Sequence, residues 1–184
     1  SILEVEANDK VHITGIVEEE ELGGTGHILR RKSNAHASGR NVETLLKQMG
    51  YLSDHEDVHI NFPGGMPVDG PSAGVAMLAA AASCLTGIPV DGCAAVTGEI
   101  SVQGLVMPVG GVPGKVEAAR RAGLQRVFIP RVNYMERFDH AGIEVIPVDH
   151  VQQALGRLLL EARPEEEAGQ ALTAPPPLTA QGIR

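Results

Sequence analysis

Two patterns of hydrophobic residues occur along this 184-residue chain, and each predicts a different kind of element. Apolar and polar residues alternate over 3–7, 11–17 and 58–62, which predicts strands, and we expect the first two to pair with each other. A continuous apolar run over 73–82 predicts a buried helix, because it is apolar on nearly every side. From Val58 onwards the predicted strands and helices alternate, which indicates an α/β fold.

Glycine, proline and charged residues set the limits of the remaining elements. We expect a solvated turn at residues 18–21, a helix over about 26–37, and a helix over 42–49 that Asn41 caps and Gly50 ends. In the second half, the pattern predicts strands at 94–97, 105–107, 126–129 and 143–148. It predicts helices at 116–122, ended by Gly123, at 133–138 and at 151–162.

Composition narrows the classes of protein. Aromatic residues make up only 3% of the chain, so the core must consist of Val, Ile, Leu and Ala. The net charge of −8 and the lack of a basic stripe argue against a nucleic-acid partner. No signal peptide and no membrane-length apolar span is seen, which favours a cytosolic domain without membrane contact. Cys84 and Cys93 form no metal pattern, and we expect Cys84 to be buried in the apolar helix.

The last 22 residues differ in character from the rest. Residues 163–184 contain a glutamate triplet and a proline triplet with little apolar content. Such composition buries too little apolar surface to offset the entropy of folding. We therefore expect one folded domain over 1–162 and a disordered tail over 163–184.

The candidate chemistry lies in two glycine-rich segments. Ser72 follows Gly70-Pro71 at the predicted start of the apolar helix, where free backbone N–H groups can bind an oxyanion. Lys115 lies in the first turn of a later helix, whose dipole disfavours a positive charge, and burial would lower its pKa further. A neutral lysine can accept the proton of a serine hydroxyl, so the pair predicts a Ser–Lys peptidase. The alternative is that Ser72 only caps a helix and Lys115 lies on the surface.

Three other motifs compete with this interpretation. The serine segment also fits the G-x-S-x-G turn of esterase-type Ser-His-Asp hydrolases, but a loop over 63–69 precedes it instead of a strand. His55 and His59 fit the H-E-x-x-H zinc pattern, which requires a helix where the alternation predicts a strand. Residues 110–115 resemble a phosphate-binding loop, yet valines occupy its first glycine and Mg²⁺-ligand positions. We therefore expect no metal and no nucleotide in this chain.

At Met66-Pro67-Val68-Asp69-Gly70-Pro71-Ser72-Ala73-Gly74 the sequence resembles the proteolytic domain of the Lon protease family. The resemblance continues in order through 84–87, 97–100, 104–115, 128–130 and 143–148, so it covers about residues 1–162. Residues 18–21 and 61–65 are more similar to the bacterial Lon B branch. The resemblance implies a compact α/β domain with small mixed sheets and flanking helices. It also implies a serine endopeptidase that degrades unfolded or regulatory proteins as a cytoplasmic homo-hexamer.

The resemblance further assigns roles to the Ser–Lys pair and its neighbours. Ser72 matches the nucleophile and Lys115 the general base. Thr97 matches the threonine that hydrogen-bonds the lysine, and Asp69 matches the acidic residue that can pair with the lysine and gate the site.

Two further positions match less completely. Glu99 matches an acidic residue near the active site, and His59 matches a position often occupied by histidine. Asn61 replaces a second histidine that classical members have, which puts a histidine-dependent role in doubt.

Family enzymes are normally fused to an AAA+ ATPase module that binds ATP and Mg²⁺. This chain has no true phosphate-binding loop, so ATP dependence would come from a module outside it, and no cofactor is expected within it. The chain would then be an excised proteolytic domain or a Lon-like protease without its unfoldase. A non-catalytic ring-forming module, with Ser72 as a simple cap, remains the alternative to an enzyme.

Overall fold

The computed structural model describes residues 4–7, 12–15, 20–24, 27–31, 34–56, 58–62 and 71–160. The strands are β1 Glu4–Ala7, β2 His12–Gly15, β3 Glu20–Gly24, β4 His27–Arg31, β5 Val58–Phe62, β6 Ala94–Val96, β7 Glu99–Ile100, β8 Val106–Met107, β9 Arg126–Pro130 and β10 Glu144–Val148. The helices are α1 Asn34–Gln48, α2 Gly74–Thr86, α3 Val112–Arg121 and α4 Val151–Leu158. Short 3₁₀ turns cover Pro71–Ala73, Arg131–Asn133 and Glu136–His140.

A parallel three-stranded sheet with the order β10-β9-β6 separates two apolar clusters. Phe128 belongs to the larger cluster, together with buried residues of α1, α2 and α4. Its neighbours Val127 and Ile129 belong to a smaller cluster with Val112 and Val116 of α3. Because successive side chains of a strand point to opposite faces, α2 and α3 cover opposite faces of this sheet.

A second sheet has the order β1-β5-β2, so the expectation that the first two strands pair with each other is wrong. β5 lies between them, antiparallel to β1 and parallel to β2. Val58 and Ile60 of β5 are fully buried, as befits a central strand. Alternation tells which face of a strand is buried, but it does not tell which strand lies beside it.

The predicted helix over 26–37 is wrong in its first part, because β3 and β4 form an antiparallel pair there. The helix begins only at Asn34. Glu20 and Glu21 belong to β3 and not to a turn, and the register places Glu20 opposite Arg31 and Glu21 opposite Arg30.

Two single-residue predictions also fail. Asn41 does not cap a helix, since α1 runs through it, and its amide Nδ2 instead donates to the Ile100 carbonyl at 2.9 Å. Cys84 of α2 is exposed and not buried.

Element limits differ at two further places. The helix predicted over 133–138 is a pair of 3₁₀ turns, and α4 ends at Leu158 because Leu159 bridges to Val90.

The remaining elements agree with the pattern. The strands predicted at 94–97, 126–129 and 143–148 are present, and Gly123 follows α3 with a φ of +76°. The α/β class with small mixed sheets and flanking helices is confirmed. Within the described ranges, none of the helices combines the length and apolar character needed to span a membrane. The tail predicted over 163–184 lies outside the described residues.

Candidate active site

Ser72 lies in the 3₁₀ turn that leads directly into α2. Pro71 suits the start of a helix because its missing N–H would have no partner there. The N-cap position of α2 is Ala73, without a side-chain cap, so Ser72 does not serve as the helix cap. Ser72 is half-buried, and no described residue hydrogen-bonds its hydroxyl. The side chain is therefore available at a helix N-terminus.

Two hydrogen bonds hold the backbone carbonyl of Ser72. The Ser72 carbonyl accepts the Gly98 N–H at 2.9 Å and the Thr97 hydroxyl at 3.3 Å. The Gly98 carbonyl in turn accepts the Val75 N–H at 3.2 Å. A Cβ added at Gly98 would lie 2.7 Å from Val106 Cγ1 and 3.0 Å from Val75 Cγ2. Only glycine therefore fits at position 98, where the link from β6 to β7 lies close to the 3₁₀ turn that contains Ser72 (the Ser72 turn).

Lys115 lies in the first turn of α3, as the sequence predicted, although α3 already begins at Val112. Its backbone N–H donates to the Gly111 carbonyl at 3.1 Å. Gly111 is the N-cap with a φ of +69°, a left-handed conformation that favours glycine. The Lys115 ammonium donates from Nζ to Thr97 Oγ1 at 3.0 Å. The lysine therefore reaches the same hydroxyl that holds the Ser72 carbonyl.

The surroundings of Lys115 disfavour its charge. Burial lowers the pKa of Lys115 below its ordinary value near 10.5. Its place in the first turn of a helix acts in the same direction, because the positive end of the helix dipole lies there. Thr97 is buried, and its single hydroxyl proton is used on the Ser72 carbonyl. Thr97 can thus only accept from Lys115, which leaves the lone pair of a neutral amine free for another proton.

The other predicted site residues are less directly connected to Ser72 and Lys115 than Thr97 is. Glu99 is half-buried at the start of β7, two residues beyond Thr97, and no ion pair joins its carboxylate to Lys115. His59 lies on β5, on the face opposite Val58, and no described hydrogen bond joins it to Ser72 or Lys115. Asp69 and Gly70 lie outside the described residues.

The zinc pattern does not form its required helix. His55 is exposed in a turn and His59 is in β5, so the two do not share a helix face. In the parts of the chain that the structure describes, no three His, Cys, Asp or Glu side chains cluster as metal ligands would.

Sequence reasoning missed Gly98 as a site residue. Its close contacts come from Val106 of β8 and Val75 of α2, and it is the fold that brings these two side chains together around position 98, so no local pattern indicates them.

Residues 1–161 match the model of the Lon protease (S16) C-terminal proteolytic domain. The chain belongs to the Lon protease family. Lon protease 2 of Bacillus subtilis is 45% identical over 177 residues, which cover 91% of this Lon domain and 32% of the relative. The Lon protease of Rhizobium meliloti is 42% identical over 115 residues, 59% of this chain and 14% of the relative. The Lon protease of Haemophilus influenzae is 40% identical over 158 residues, 84% of this chain and 18% of the relative.

The Lon chain thus spans about a third or less of the length of the curated relatives it matches. The family confirms the resemblance found in the sequence and supports a peptidase. It does not by itself assign the catalytic residues of this Lon domain.

Proposed function

We propose that this Lon domain is a serine endopeptidase that works through a Ser72–Lys115 dyad. The observation that carries the proposal is the hydroxyl of Thr97, which accepts from Lys115 Nζ at 3.0 Å and donates to the Ser72 carbonyl at 3.3 Å. One buried side chain therefore brings the start of α2 and the start of α3 together, although the two helices cover opposite faces of a sheet.

The reaction follows from these positions. Ser72 Oγ attacks the scissile carbonyl carbon while neutral Lys115 accepts the hydroxyl proton. Backbone N–H groups at the start of α2, near Gly70 and Ser72, stabilise the oxyanion that forms. The resulting Lys115 ammonium gives its proton to the leaving amine, and an acyl-enzyme remains on Ser72. Lys115 then accepts a proton from water, and the resulting hydroxide attacks the ester carbonyl carbon of the acyl-enzyme. The bond from that carbon to Ser72 Oγ breaks, the acid leaves, and the Lys115 ammonium returns the proton to Ser72 Oγ. No metal or organic cofactor takes part in these steps.

Hydrolysis of casein and of a fluorogenic peptide by the intact protein tests the dyad. Ser72→Ala and Lys115→Ala should each abolish turnover, and each should cost nearly as much as both together, because the two act as a unit. Ser83→Ala, on the helix that the Ser72 turn precedes, and Lys47→Ala, on α1, are the matched controls and should retain activity.

The same variants separate the alternatives. Full activity of Lys115→Ala would favour a Ser-His-Asp hydrolase. A wild-type protein that neither turns over peptide nor reacts with a fluorophosphonate probe would favour a non-catalytic ring-forming module.

Supporting roles for Asp69, Thr97, Glu99 and His59 belong to the same proposal. Asp69 would pair with Lys115 and gate the site, and Asp69→Asn should then raise basal activity at neutral pH. A loss of activity in folded Asp69→Asn would instead assign Asp69 to the support of catalytic geometry.

For the whole protein we infer polypeptide substrates, assembly into a cytoplasmic homo-hexamer, and an AAA+ ATPase module that supplies the ATP and Mg²⁺ dependence. Two observations support this inference. The chain belongs to the Lon family, and most of the length of each relative lies outside the part that this chain matches. The isolated chain should then cut short or unfolded peptides without any effect of ATP. ATP-stimulated degradation of a folded substrate by the isolated chain would contradict this division of labour.

A further inference from the structure

The segment that joins β8 to α3 determines where Lys115 lies, and apart from Val109, which packs against the smaller apolar cluster, it has little packing of its own. Pro108, Gly110 and Gly111 are exposed. No atom lies within 4 Å of a Cβ added at Gly110 or Gly111. Proline also lacks an N–H for hydrogen bonding. Something outside this segment must therefore fix its path.

The side chain of Asn133 forms such a contact with Val109. The Val109 N–H donates to Asn133 Oδ1 at 2.9 Å, and Asn133 Nδ2 donates to the Val109 carbonyl at 3.0 Å. A carboxamide carries an acceptor and a donor together, so it pairs with a backbone residue as a neighbouring strand would. We call this contact the amide pair. Asn133 is half-buried in the 3₁₀ turn that follows β9.

The amide pair links Lys115 to the sheet that carries Thr97. Val109 precedes Gly111 by two residues, and the Gly111 carbonyl accepts the Lys115 N–H in the first turn of α3. The turn of Asn133 continues directly from β9. The Thr97 N–H donates to the Phe128 carbonyl of β9 at 3.0 Å. One strand therefore positions both partners of the bond between Lys115 and Thr97.

We propose that Asn133 is a positioning residue that holds the start of α3 so that Lys115 reaches Thr97 and Ser72. This role rests on the proposed dyad. Under this role, loss of the Asn133 side chain shifts the start of α3 and displaces the lysine amine while the rest of the fold is kept. Under a purely stabilising role, the same loss would lower the stability of the domain and leave Lys115 in place. A displacement of about 1 Å at a catalytic group can cost on the order of 100-fold in rate.

Two variants test the proposal in the intact protein. Asn133→Ala removes the side chain, and Asn133→Leu keeps its approximate volume while leaving the Val109 N–H and carbonyl without their partner. For both we expect kcat, corrected for the folded fraction measured by circular dichroism, to fall about 10- to 100-fold with KM nearly unchanged. Val132→Ala is the control, since Val132 lies in the same turn and is 75% exposed.

The pH profile gives the readout that a stabilising role would not move. A displaced Lys115 is less buried, so the pKa seen in the acidic limb of kcat should shift upward in both variants and stay unchanged in Val132→Ala. Wild-type kcat, or a lowered kcat with an unmoved acidic limb in a folded variant, would overturn the role of Asn133. Activity of Ser72→Ala or Lys115→Ala in the same assay would instead overturn the dyad, so the two failures are distinguishable.

Discussion

A single buried hydroxyl holds both Lys115 and the backbone of Ser72. Thr97 accepts from the lysine and donates to the serine carbonyl, at 3.0 and 3.3 Å. Because the hydroxyl proton is already used, the amine keeps one N–H on Thr97 and its lone pair remains directed elsewhere. In the proposed dyad, Thr97 thus orients Lys115 without itself taking part in proton transfer.

Replacing this hydroxyl should therefore impair turnover more than folding. Thr97→Val keeps the shape of the side chain, and we expect kcat to fall about 10- to 100-fold because the lysine amine loses its fixed position. Thr97→Ser keeps the hydroxyl and should stay within a few-fold of wild type. Steady-state kinetics on a peptide substrate measures both, and equal kcat in the valine and wild-type proteins would contradict the orienting role.

The lowered pKa of Lys115 predicts how activity responds to pH. In the proposed dyad the neutral amine is the active form, so kcat/KM should rise with pH through an apparent pKa below 10.5. Lys115→Arg should be inactive at every pH tested, because a guanidinium does not lose its proton. A pH–rate profile without an ionisation below 10.5, or an active arginine variant, would exclude Lys115 as the base.

The same shift has a consequence for stability. Burial disfavours the charged lysine. At pH values below the folded pKa of Lys115, this residue therefore lowers the free energy of unfolding of the domain. The penalty disappears as pH rises from that pKa towards 10.5. Lys115→Met should consequently be more stable than wild type at neutral pH. Urea unfolding at several pH values should show the difference shrinking as pH increases, and a constant difference would argue against the shift.

At the scale of elements, Gly98 joins the Ser72 turn to the link between β6 and β7. An alanine there would meet Val106 Cγ1 at 2.7 Å, so we expect Gly98→Ala to cost about 1–3 kcal/mol of stability and to displace the Ser72 turn. Gly92→Ala is the control, since no atom lies within 4 Å of a Cβ added at Gly92. Thermal unfolding and peptide hydrolysis measure the two effects. An active, fully stable Gly98→Ala would show that the turn adapts.

The sequence predicted those elements whose signals are local. Gly123 ends α3, and glycine-rich segments precede Ser72 and Lys115, so the position of both candidates at the start of a helix could be predicted locally. That position left open whether Ser72 is only a cap and Lys115 a surface residue, and the resemblance to the Lon family supplied their roles. Pairing between distant segments could not be found in this way. β4 carries residues that also suit a helix, and only its pairing with β3 makes it a strand. For the same reason Asn41 looked like a cap, whereas its true partner is the distant Ile100.

At the scale of the molecule, the two candidate residues depend on different apolar clusters. Ser72 precedes α2 in the larger cluster, and Lys115 begins α3 in the smaller one. Val42→Ala and Val116→Ala make the same deletion in the larger and the smaller cluster, and each should cost about 1–3 kcal/mol. After correction for the folded fraction, we expect only Val116→Ala to lose kcat. Val116 directly follows the proposed base Lys115 on α3, whereas the Ser72 turn is also held by its hydrogen bonds from Gly98 and Thr97. Equal losses of kcat in both variants would contradict the claim that Lys115 depends on the smaller cluster alone.

The separation of the two clusters also bears on local unfolding. A helix that rests on few buried side chains opens more readily than the domain unfolds, so amide hydrogens of α3 should exchange with deuterium faster than those of α2. Each such opening would carry Lys115 away from Thr97 while the Ser72 turn remains bonded to Gly98. The domain could then lose its proposed base reversibly, and regain it, without global unfolding.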